Sequence, residues 1–93
     1  MIIMDKIKEI AEVLSETDDM DLIEIFLKSI LTSNEIDEIS SRWEIVKLLS
    51  NGMSQRKISE KLGVSLCKIT RGSKELKKDP SPFKIMIEKY IDK

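Results

Sequence analysis

A single glycine set between two serine-headed amphipathic segments constrains this chain more than any other feature. Within Met53 to Leu76, Ser54 precedes the segment Gln55–Leu62, and Ser65 precedes a second segment starting at Leu66. Serine is favoured just outside a helix start, because its hydroxyl accepts from a free amide of the first turn. Ile58 and Leu62 fall one helical turn apart in the first segment, and Ile69 faces inward from the second. Gly63 permits the positive φ that ends a helix in a tight corner. Ser59, at the meeting of the two segments, is small enough to let their backbones cross closely. Two short helices joined by a glycine-containing turn make a helix-turn-helix, an arrangement that lays its second helix in the major groove of DNA.

Charge agrees with that reading. Ser54 to Lys78 holds eight basic residues against two acidic ones, a net +6. Met1 to Glu38 holds three basic against eleven acidic, a net −8. The overall −1 therefore hides a polarised chain. The basic stretch coincides with the motif, as neutralisation of DNA phosphates requires.

Ninety-three residues make one domain with a modest core. The expected organisation is dimerisation helices over 1–52, a DNA reading head over 53–76, and a hinge with a terminal helix over 77–93. Three Gly and two Pro leave little room for turns, so the chain is expected to be all-α. One cysteine, Cys67, rules out an internal disulfide framework and suits a reducing cytoplasm. The absence of His, with that lone cysteine, leaves no metal site built on those ligands and no nucleophile–base pair for an enzyme. The apolar start, Met1 to Ile10, is too short and too charged for a signal peptide or a membrane span.

Six helices are expected in all. The first runs from about Ile2 to Leu14, with Ile3, Ile7, Ile10, Ala11 and Leu14 on one face. Asp18 or Asp19 caps the second, Met20 to Leu31, which carries Ile23, Phe26, Leu27, Ile30 and Leu31 on a broad face with Ile25 beside it. That apolar surface exceeds what one small bundle uses and points to a second subunit. Thr32-Ser33-Asn34-Glu35 forms a capping box for the third helix, Ser33 to Ser50. Its buried stripe is Ile36, Ile39, Trp43, Val46 and Leu49, widened by Ile45 and Leu48, and Asn51-Gly52 closes it. The motif supplies the fourth and fifth helices. Beyond the hinge at Lys78–Pro82, Pro82 opens the last helix, Pro82 to Ile91, whose packing face is Phe83, Met86, Ile87 and Tyr90.

One residue breaks the apolar pattern of the second motif helix. Three places after Ile69 stands Gly72. Glycine inside a helix costs about 1 kcal/mol relative to alanine, so the position needs a reason. A helix end or a close helix crossing is one reason. A ligand pocket is the other: Arg71 stands beside Gly72, and Arg42 comes from the third helix, which must pack nearby. Two guanidinium planes flanking a hole suit a flat ligand bearing a carboxylate.

The string Ile69-Thr70-Arg71-Gly72-Ser73, preceded by Met53-Ser54-Gln55-Arg56 and Leu31-Thr32, closely resembles the Trp repressor family, and the likeness extends over roughly Leu22 to Ile87. The resemblance implies a six-helix chain in an intertwined homodimer, L-tryptophan as corepressor with no metal, and operator DNA upstream of tryptophan genes as the partner. It implies that Arg42 and Arg71 sandwich the indole, that Arg71 also holds the ligand carboxylate, and that Gly72 makes room for the ring. Leu31 and Thr32 match the end of the second helix that closes the pocket from the other subunit. Gln55, Arg56, Leu66, Cys67, Lys68 and Thr70 match DNA-facing positions, and the basic face adds Lys57, Ser65 and Lys74. Trp repressor is a standard helix-turn-helix example with largely water-mediated operator contacts.

The chain departs from many family members in carrying Lys74 and Glu75 where Asn and Ser are common. Glu75 is spaced to pair with Arg71 along the helix, or to accept the ligand's ammonium group. The first outcome would give a DNA-binding protein that does not respond to tryptophan. A protein-interaction module using the acidic amino-terminal helices is a reading of another class. Trp43 is expected to serve the core and Cys67 to be a small filler facing DNA.

Overall fold

The computed structural model describes the backbone of residues 3–92 and the side chains of residues 5–92. Ile2, the expected start of the first helix, and the side chain of Ile3 lie outside those described residues. Six α-helices follow in order: α1 (Ile3–Ser15), α2 (Met20–Ile30), α3 (Ser33–Ser50), α4 (Gln55–Leu62), α5 (Leu66–Leu76) and α6 (Pro82–Ile91). No strand occurs among the described residues.

The ends of these helices follow from their caps. Asp19 accepts from the Leu22 amide at 3.2 Å and starts α2. The capping box forms in full: the Thr32 amide donates to Glu35 Oε1 at 2.8 Å, and the Glu35 amide donates to Thr32 Oγ1 at 3.1 Å. Gly52 takes φ +88° beyond α3, and Gly63 takes φ +66° beyond α4, conformations that a side chain would strain. Ser54, Ser65 and Ser81 each accept from the amide three residues on and head α4, α5 and α6.

The contacts divide the chain into two units, Met1–Ile36 and Asp37–Lys93. In the first, α1 and α2 flank an apolar groove of about 410 Å³ lined chiefly by Ile10, Val13, Leu14, Leu22, Ile23 and Phe26. No residue of α2 is buried; Ile25 is 62% exposed and Leu22 54%. The Lys28 ammonium donates to Glu24 at 2.7 Å along α2 and, through that bond and its charge, holds the Glu24 carboxyl below its ordinary pKa.

In the second unit a core forms around Ile45, Leu48, Ile58 and Ile69, with Leu49, Met53, Leu62 and Val64 packed against it. Ile58 and Ile69 have no exposed surface, as their spacing in the motif implies. On α3 the burial falls later than the expected stripe. Ile45, Val46 and Leu48 are buried, whereas Ile39 is 48% exposed because it lies amino-terminal to the part of α3 that the core covers. Val46 is thus buried as expected, and Ile45 and Leu48 are core residues rather than its margin.

Helix α6 docks through Ile87, which is fully buried, while Met86 and Tyr90 stay more than half exposed. Trp43 joins α3 to α6. Its ring centroid lies 6.2 Å from that of Phe83 in a tilted arrangement and 6.2 Å from that of Tyr90, edge to face. Lys47 stands 5.6 Å over the Tyr90 ring and pairs with Glu44 at 2.9 Å, a bond that raises its pKa despite partial desolvation. The buried Ser81 hydroxyl donates to the Glu75 carbonyl at 2.8 Å and accepts from the Lys84 amide at 3.1 Å. One side chain thereby satisfies the last turn of α5 and the first turn of α6.

Candidate functional site

The helix-turn-helix is held from inside by apolar contacts and from the corner by Ser59. The Ser59 hydroxyl donates to the Val64 carbonyl at 2.8 Å, so the residue contributes a hydrogen bond as well as small size. With Ile58 and Ile69 facing the core, the opposite face of the motif is left to solvent. Gln55, Arg56, Lys57, Ser65, Leu66, Cys67, Lys68, Thr70 and Lys74 are all exposed. The Thr70 hydroxyl donates to the Leu66 carbonyl at 2.9 Å and lies 3.5 Å from Gln55 Oε1, which places the start of α4 beside the middle of α5. The exposed face is therefore continuous across both motif helices and carries several of the motif's basic residues. Such a surface suits the phosphate backbone through its charge.

Behind that face, α3, α5 and the start of α6 enclose a cleft of about 340 Å³. Arg42, Arg71, Gly72 and Glu75 line it together, with Ile45, Val46 and Phe83 as its apolar wall and Glu38, Ser41 and Lys68 at its polar side. The volume falls within the range of small-molecule sites, and the mixture of an apolar wall with guanidinium groups suits an amphipathic anion. The lining comes wholly from the Asp37–Lys93 unit. Leu31 and Thr32 belong to the other unit, where Leu31 caps the end of α2 and Thr32 anchors the capping box.

Gly72 does not itself leave the hole expected from its missing side chain. A Cβ built there would stand 3.1 Å from Ile45 Cγ2, 3.4 Å from Val46 Cγ2 and 3.7 Å from Leu49 Cδ1. The glycine lets α5 come close to α3, and the open space lies alongside that crossing.

A family model described as Trp repressor protein matches residues 5–91. The chain belongs to the Trp repressor family. It is similar to Trp operon repressor homologs from several bacteria. It is 41% identical to one from Xylella fastidiosa, over 70% of this chain and 72% of that protein. It is 40% identical to one from Chlamydia trachomatis, over 76% and 72%. It is 42% identical to one from Photobacterium profundum, over 75% and 69%. No solved structure gives a significant match. As a Trp repressor family member the chain is a DNA-binding repressor and not an enzyme. Among the described residues, no cluster of His, Cys, Asp or Glu could hold a metal ion, and no helix is long and apolar enough to cross a membrane.

The structure also sorts the charges around the cleft. Glu75 pairs with Lys78 at 2.9 Å, and among the described residues no ion pair joins it to Arg71. Glu38 reaches two cations at once, Lys68 at 3.3 Å and Arg42 at 3.8 Å. Its i,i+4 spacing to Arg42 is a local signal visible in the sequence. Its contact with Lys68 spans 30 residues and leaves no local trace.

Proposed function

We propose that this chain is a tryptophan-responsive repressor: a homodimer in which L-tryptophan seats in the α3–α5 cleft and sets the two reading heads for operator DNA upstream of tryptophan genes. The observation that carries the reading is the convergence of Arg42, Arg71 and Gly72 on one cleft directly behind the exposed face of α5. An indole against Ile45, Val46 and Phe83 would be apolar on one side and flanked by guanidinium groups on the other, with Arg71 near enough to clamp a carboxylate. Because α3 and α5 are opposite walls, an occupant props them at one spacing. In a two-fold dimer the recognition helices must stand about 34–36 Å apart to enter successive major grooves, so a fixed α5 angle favours binding. Tryptophan then raises DNA affinity, and DNA must raise tryptophan affinity by the same factor.

Three features support the finer assignments. The Lys78 partner of Glu75 leaves Arg71 free of an intrahelical carboxylate, which favours the responsive reading over an unresponsive one. Gln55, Arg56, Lys57, Ser65, Leu66, Cys67, Lys68, Thr70 and Lys74, all exposed, form the DNA face, with Lys68 and Thr70 suited to base or water-bridged contacts. The groove between α1 and α2 and the uncovered apolar residues of α2 favour a second copy as their cover, with Leu31 and Thr32 closing the partner's cleft.

The deciding experiment pairs calorimetry with a gel shift. L-tryptophan is expected to release binding heat and to tighten binding to duplex DNA taken from upstream of the tryptophan genes. Absence of heat, with DNA binding indifferent to tryptophan, would leave a plain DNA binder.

A further inference from the structure

We propose that Glu38 is an internal competitor of both ligands, its carboxylate occupying Lys68 in place of DNA phosphate and Arg42 in place of the ligand carboxylate. The inference rests on the reading that the cleft takes an amino acid and that α5 meets DNA. One side chain makes both contacts, with Oε1 3.3 Å from Lys68 Nζ and Oε2 3.8 Å from the Arg42 guanidinium. Lys68 belongs to the exposed DNA face and Arg42 to the cleft wall, so Glu38 stands where the two surfaces meet.

The chemistry is that of a stand-in. A carboxylate presents to ammonium and guanidinium groups the same anionic oxygens that a phosphate or an amino-acid carboxylate would bring. All three side chains are about half exposed, so the pairs are weak and can be exchanged for a better anion. An anion arriving at Arg42 or at Lys68 must displace Glu38 from that cation, so the carboxylate lowers the affinity of each site for its own anion.

The test is a double-mutant cycle on full-length protein with a mixed-sequence DNA duplex across a salt series. Glu38→Gln is expected to tighten DNA binding about two- to fivefold. Its salt dependence is expected to match that of wild type, because phosphate takes Lys68 in both proteins and the number of phosphate contacts is the same. In a Lys68→Met background the same change is expected to do nothing. Asp37→Asn removes an identical charge one residue away and is expected to leave affinity unchanged. An unaltered affinity in Glu38→Gln would overturn the proposal. So would an equal gain in the Lys68→Met background or from Asp37→Asn, since either marks a general charge effect. Calorimetry with L-tryptophan separates the underlying reading. No heat from wild type removes the ligand, and with it the Arg42 half of the proposal. Heat from wild type with no tightening in Glu38→Gln leaves the ligand in place and overturns the role of Glu38 at Arg42.

Discussion

The Ser59 hydroxyl donates to the Val64 carbonyl at 2.8 Å, closing the corner of the helix-turn-helix with a bond that runs across the turn at Gly63. The site is partly buried, so water replaces the bond poorly. Ser59→Ala keeps the small size and removes only the hydroxyl. It is expected to cost about 1 kcal/mol, read as a lower urea midpoint at fixed protein concentration.

Gly72 is packed rather than vacant, and a substitution there should show it. Alanine would gain about 1 kcal/mol in helix propensity. Its Cβ would press on Ile45 at 3.1 Å and Val46 at 3.4 Å, both almost fully buried. Overpacking of a tight core costs about 1–3 kcal/mol, so Gly72→Ala should be destabilising by about 1 kcal/mol net, and Gly72→Val by more. Thermal unfolding of the two variants beside wild type is the measurement. A rise in melting temperature for alanine would mean that α5 is not pressed against α3.

Arg71 is exposed at the mouth of the cleft, so its loss should spare the fold. Arg71→Ala is expected to weaken tryptophan binding at least about tenfold, the scale of a lost charge-assisted hydrogen bond. Helical circular dichroism should be unchanged. Calorimetry returning the wild-type affinity would remove Arg71 from the ligand site.

The Glu24 carboxyl is held below its ordinary pKa by the hydrogen bond from Lys28 and by its charge. A carboxyl depressed in the folded state stabilises the fold at pH values above its unfolded pKa. That contribution is lost as pH falls through the folded value. Glu24→Gln should therefore lower stability slightly at neutral pH and flatten part of the acid limb, as followed by urea unfolding across a pH series. In an NMR titration of the side-chain carboxyl, Lys28→Met should bring Glu24 back to the ordinary carboxylate range.

The helices were legible because their ends are written in local chemistry. Ser54, Ser65, Ser81, Asp19 and the Thr32–Glu35 box all cap where their residue types indicate, and Gly52 and Gly63 take the left-handed conformation that ends a helix. Apolar spacing likewise marked Ile58 and Ile69 as core. What periodicity could not supply was which length of a helix is covered. Ile39 and Ile45 lie on the same long helix, yet only Ile45 is buried. Contacts between distant segments were equally silent. Glu75 had two cations within reach by spacing and took Lys78, and nothing near Glu38 announced Lys68. The cleft itself was half legible. Arg42, Arg71 and Gly72 could be named, but the tight seat of Gly72 against Ile45 depends on how closely two helices approach.

Ser81 ties the last turn of α5 to the first turn of α6 through one hydroxyl that both gives and receives. Any tilt of α5 must therefore drag Phe83 and Tyr90 past the indole of Trp43, their edge-on and tilted neighbour. The chain carries a single such fluorophore. Its emission is accordingly a built-in gauge of reading-head posture, one that needs no dye and reports on DNA titrations as they run.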